Sequence, residues 1–149
     1  MNFLSDQSCV QWRVDRGYPS SPPEGRPKPR SVELQSPPFH SVDFVLPQDS
    51  GRRVWLTRQL LSCIDSQTST LYWLDDWLVW ESHIPLFDRF RQSLGETRPL
   101  IETPGHLSEP CERDDGLSIL VMSMLFSWDC GVFSSSGRDA LFVSHDEWG

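Results

Sequence analysis

The sequence predicts an α+β domain: a mostly antiparallel sheet with about three helices packed on it, preceded by a Pro-rich extended segment. Three observations lead there. Amphipathic helical spacing recurs over 52–64, 82–95 and 114–128. Short β-prone runs lie between those stretches. The last of them, Gly131-Val-Phe-Ser134 and Ala140-Leu-Phe-Val-Ser144, flank Ser135-Ser-Gly-Arg-Asp139 and so read as a hairpin.

The elements follow in order. Val10, Trp12 and Val14 alternate and suggest an edge strand. From Tyr18 to Arg30 the prolines forbid both helix and central strand. Residues 1–40 are therefore expected as an extended or partly disordered arm, and 41–149 as the folded domain. Ser41 to Leu46 alternates weakly and stops at Pro47, as a short strand would. Asp49-Ser50-Gly51 offers an N-cap to a helix of about 13 residues, with Val54, Leu56, Leu60, Leu61 and Ile64 inward. Cys63 falls in that pattern as a small core residue.

Thr70 to Trp80 fits two periods. Trp73, Trp77 and Trp80 have helical spacing, but the residue types suit strands. Two strands broken at Asp75-Asp76 are expected. Ser82 to Gly95 is a helix with Pro85 in its first turn, Leu86, Phe87, Phe90 and Leu94 on one face and Arg91 opposite. Arg98 to Thr103 reads as a strand stopped by the turn dipeptide Pro104-Gly105. An acidic loop over 108–115 leads to a helix capped by Asp114 or Asp115. Its apolar face is Leu117, Leu120, Val121, Met124, Leu125 and Trp128. So little polar surface remains that helix 117–128 should be enveloped by its own domain or by a second copy.

Length and charge limit the function classes. One domain fits 149 residues, and no apolar run approaches the length of a membrane helix. Met1 to Val10 lacks the basic and apolar regions of a signal peptide, so a cytoplasmic location is expected. Thirteen basic against 21 acidic residues give a formal charge of −8, which disfavours nucleic acid. Residues 1–47 are balanced, with Arg13, Arg16, Arg26, Lys28 and Arg30 against Asp6, Asp15, Glu24, Glu33 and Asp43. The whole excess therefore falls in 48–149. The four cysteines form no C-x-x-C pair and are read as reduced thiols.

A resemblance covers roughly residues 70–149. Asp76-Trp-Leu-Val-Trp-Glu-Ser82, Leu86-Phe-Asp-Arg-Phe-Arg91, Glu102-Thr-Pro-Gly-His106, Ser127-Trp-Asp129 and Ser144-His-Asp-Glu-Trp148 together resemble a small bacterial domain of unknown function. The likeness implies a bacterial source and an intracellular setting, and transfers no residue roles.

Two functional readings emerge. Seven tryptophans are a marked excess. Either they build the core, or Trp73, Trp77 and Trp80, rimmed by Asp75 and Asp76, form an exposed acidic anchor for a basic protein partner. The second version describes a non-enzymatic binding domain of inhibitor or immunity type, with no cofactor. The alternative is a small metal-dependent hydrolase using His106, His145 and Asp146, with Glu147 as a further ligand candidate. No H-x-x-x-H or H-E-x-x-H spacing, nucleophile elbow, P-loop or G-x-G-x-x-G supports an enzyme.

Overall fold

In the computed structural model, residues 1–18 and 45–144 are described, with backbone alone for 78–80. The chain forms β1 (Asn2–Leu4), α1 (Asp6–Val14), α2 (Ser50–Ser62) and β2 (Thr70–Asp75). A 3-10 helix (Leu78–His83) then runs into α3 (Ile84–Ser93). β3 (Gly105–Ser108), a 3-10 turn (Pro110–Glu112), α4 (Arg113–Phe126), β4 (Asp129–Ser134) and β5 (Ala140–Val143) complete it. The five strands make one antiparallel sheet in the order β1-β3-β2-β4-β5. This is the expected α+β class, with four α-helices among the described residues.

Period-2 alternation divides the sheet residues between two cores. On one face Tyr72, Leu74, Cys130 and Val132 meet Leu61 of α2, Phe87 of α3, and Ile119, Leu120 and Met124 of α4. On the other, Leu71, Trp73 and Phe133 meet Cys9 and Trp12 of α1. The sheet is thus covered on both sides, which explains why β2 and β4 are buried along their whole length.

The N-terminal segment differs from expectation. Val10, Trp12 and Val14 lie on a helix, not an edge strand, because Ser5 caps it and Cys9, Trp12 and Arg13 form its buried stripe. β1 pairs with β3 and α1 packs on the sheet, so residues 2–14 belong to the folded unit rather than to an extended arm. The Pro-rich stretch and the expected strand start at 41 lie outside the described residues.

α2 begins at Asp49, whose side chain accepts from the Arg52 amide at 2.8 Å. α2 and α4 are tied end to end. Arg113, at the start of α4, donates to the carbonyls of Leu61 and Ile64 at the end of α2. Arg53, near the start of α2, donates to Met124 O near the end of α4 at 3.3 Å. Each arginine supplies donors to carbonyls at a helix C-terminus, where cationic side chains are favoured. α2 and the sheet cover α4, where Gly116, Ile119, Leu120, Ser123 and Met124 are buried; Leu117, Val121 and Leu125 are only half-buried. Of the expected face Leu120, Met124 and Trp128 are buried, while the rest of the buried face is turned toward Gly116, Ile119 and Ser123, where the helix approaches the sheet.

Other expectations are corrected in the middle of the chain. Only Thr70–Asp75 is a strand. Asp76 takes a left-handed conformation, φ 46°, and the chain then turns into the 3-10 helix instead of a second strand. In α3 the phase is shifted: Leu86 is exposed while Arg91 is buried. The helix ends at Gly95, φ 93°, with Gly95 N–H bonded to Gln92 O and Glu96 N–H to Arg91 O, a Schellman arrangement. Arg98–Thr103 is irregular, and the strand lies beyond the proline, at Gly105–Ser108. A Cβ on Gly105 would collide with the Cys9 sulfur, so glycine there lets α1 lie close to the sheet. α4 starts at Arg113, one or two residues before the expected caps, with Asp114 and Asp115 in its first turn, where they favour the helix dipole. Cys63 is exposed, just past the end of α2, not in the core.

Candidate docking surface

His106 sits on β3, directly opposite Tyr72 of β2 and Phe3 of β1. It is fully buried, with its ring edge-on to Phe3 at 5.5 Å and Phe87 at 5.6 Å. Nδ1 lies 3.1 Å from Pro104 O, so that nitrogen carries the proton. Nε2 makes no hydrogen bond of ordinary geometry. Burial, and then the nearby Arg91 guanidinium, push the pKa down to about 3. His106 is thus a neutral core imidazole.

Asp75 and Asp129 pair across β2 and β4, and each is buried. Parity places them on the α1 face, whereas His106 points to the α2–α4 face. The sheet therefore separates this histidine from both carboxylates. Ser144 Oγ reaches Asp129 Oδ2 at 3.4 Å, and the described chain ends there. His145, Asp146 and Glu147 lie outside the described residues. Among the described residues no three His, Cys, Asp or Glu side chains gather as a metal site would require.

The thiols are equally quiet. Burial first, then the Asp6 charge, push the Cys9 thiol up; burial pushes Cys130 up to about 12. Neither is a thiolate near neutral pH.

The expected tryptophan patch is not assembled. Trp73 is fully buried against α1 and donates its indole N–H to Asp6 Oδ1 at 2.9 Å. Trp77 is buried in the opposite core with Trp128. Asp75 is buried and Asp76 is half-buried. Trp80's side chain lies outside the described residues. Trp73 went inward because β2 is covered on both faces, so neither parity of that strand reaches solvent, and Trp77 went inward past the strand end, at the start of the 3-10 helix.

Among the described residues one tryptophan does face water. Trp55 on α2 is 62% exposed, while Trp12, Trp73, Trp77 and Trp128 are all at 8% or less. The inward face of α2 is Thr57, Leu60 and Leu61. Trp55 lies on the other side of the helix, between the exposed Arg52 and Arg58 at three residues' distance either way. Its signal was present in the sequence. A ring out of phase with Val54, Leu60, Leu61 and Ile64, and in phase with two arginines, falls on a polar arc.

No protein-family model, curated protein or solved structure matches the chain.

Proposed function

We propose that the chain is a non-enzymatic protein-binding domain that covers a surface of another protein, as an inhibitor or immunity-type protein does. Trp55 carries this reading. Exposing an indole ring to water is costly, about 25 cal/mol for each Å² of apolar surface. Tryptophan and arginine are also the side chains most enriched among interface hot spots. Arg52-Trp55-Arg58 brings both types together on an outward helix face.

The hydrolase alternative finds less support. Of its three residues, His106 is enclosed in the core and has no path to a substrate, and the other two lie outside the described residues.

The test is co-purification of the full chain from its native cells, beside Trp55→Ala. One protein recovered in near-equal amount with the parent chain, and lost with the variant, is the expected result. Recovery of no protein, or equal recovery by both, would overturn the reading.

A further inference from the structure

α2 has three arginines and no acidic residue, in a chain of formal charge −8. Arg53 is engaged inside the fold, with Pro47 O at 2.7 Å and Met124 O at 3.3 Å. Arg52 and Arg58 are exposed, and among the described residues neither side chain makes a hydrogen bond or ion pair. Together with Trp55 they form one outward arc on which two guanidinium groups flank an exposed ring.

We infer that this arc docks an acidic segment of a partner protein, whose carboxylates pair with Arg52 and Arg58 while an apolar side chain covers Trp55. The inference rests on the protein-binding reading above and adds the partner's chemistry. Charge complementarity is its basis. The surface is locally basic although the chain is acidic, so it selects an acidic stretch short enough to avoid the repulsion of the remaining body. The partner is thus opposite in sign to the one that an acidic tryptophan patch would have taken.

Other occupants fit less well. Nucleic-acid binding rests on neutralising many phosphates, and two arginines on a chain of charge −8 supply few contacts. An interfacial membrane helix needs a broad apolar face. Besides Trp55, Arg52 and Arg58, the exposed residues of α2 are Ser50, Gly51, Gln59 and Ser62.

The experiment is a titration of the full chain, labelled with nitrogen-15, by two capped peptides of about 12 residues. Each carries one leucine and one phenylalanine at its centre. The flanking residues are glutamate in one and lysine in the other. The expected result is a shift of the indole signal that Trp55→Phe removes, with the glutamate peptide alone. Raising salt from about 0.05 M to about 0.5 M should weaken it, since exposed pairs are screened. The Arg52→Glu/Arg58→Glu variant, checked for an otherwise unchanged amide spectrum, should lose about tenfold in affinity for the glutamate peptide and gain the lysine peptide.

No response to the glutamate peptide, equal response to both, or indifference to charge reversal would overturn the inference. So would a concentration-dependent shift of the same signal without peptide, which assigns the arc to a second copy. A stronger response to an oligonucleotide of about 12 residues, or to phosphatidylserine vesicles, would overturn it too. If a native partner is recovered through Trp55 while the glutamate peptide fails, only the acidic assignment falls. If recovery does not depend on Trp55, both fall.

Discussion

Gly116 of α4 lies against the ring of Tyr72 on β2. A Cβ built on Gly116 would stand 2.5 Å from Cε2, Cζ and Oη of that ring. This contact fixes how closely the helix layer approaches the sheet. It also explains why α4 turns its Gly116-Ile119-Ser123 side inward and leaves Leu117 and Leu125 half-buried.

Gly116→Ala should therefore destabilise the domain, although alanine is the better helix former by about 1 kcal/mol. Overlap with a buried ring costs about 1–3 kcal/mol and exceeds that gain. A lower midpoint in urea is expected, and pairing the change with Tyr72→Leu should give a less than additive loss. An unchanged midpoint would show that the ring can move aside.

Buried His106 should leave a mark on acid stability. Its folded pKa of about 3 lies below the ordinary 6.5, so the unfolded chain binds the proton first. Stability is unaffected above pH 6.5 and declines as pH falls from 6.5 toward 3. His106→Leu should lower stability at neutral pH through lost packing, yet flatten the slope over that interval. A folded-state imidazole signal titrating near 6.5, assigned to His106 by its loss in His106→Leu, would refute the buried, neutral assignment.

Glu96 titrates lower. Its Oε2 receives Arg98 Nη2 at 2.6 Å, and its Oε1 receives Arg98 Nε at 3.0 Å and the Thr97 and Arg98 amides at 2.8 Å each. The Arg98 side-chain bonds chiefly hold its pKa down, to about 2. That stabilisation is complete above 4.5 and disappears as pH falls from 4.5 to about 2. Glu96→Gln should cost about 1 kcal/mol at pH 7, modest because Arg98 is half exposed and screened. The two proteins should converge near pH 2; a constant difference across the range would contradict this.

The two tryptophan environments predict opposite sensitivities. Trp73→Ala should cost about 3–5 kcal/mol by opening a cavity between the sheet and α1. Trp55→Ala should stay within about 0.5 kcal/mol, since the ring already faces water. Thermal unfolding of the two variants checks both statements, and a large loss for Trp55→Ala would mean that the ring supports the fold.

The long elements were legible because their signals were local. Asp49 and the Leu60–Leu61 spacing defined α2, and the 135–139 turn defined the β4–β5 hairpin. The misreadings came from tertiary context. Arg91 looked like a surface residue, but its Nη1 and Nη2 donate to the Arg98 carbonyl and to Thr103 inside the fold, so its stem occupies the core side of α3. Pro104-Gly105 looked like a stop. Its glycine instead opens β3, where the sulfur of Cys9 requires the space. Trp12 alternated with Val10 and Val14 by coincidence of a short helix, and only the capping role of Ser5 distinguished the two periods. The Trp73–Trp80 cluster could not be placed without knowing that helices cover β2 on both faces.

The most direct test of the binding account places a photo-crosslinking phenylalanine analogue at position 55, and separately at the exposed Ile101, in the full chain within its native cells. The account predicts one discrete adduct to a single protein from position 55 and none from position 101. The same adducts from both positions, or none from position 55, would contradict it.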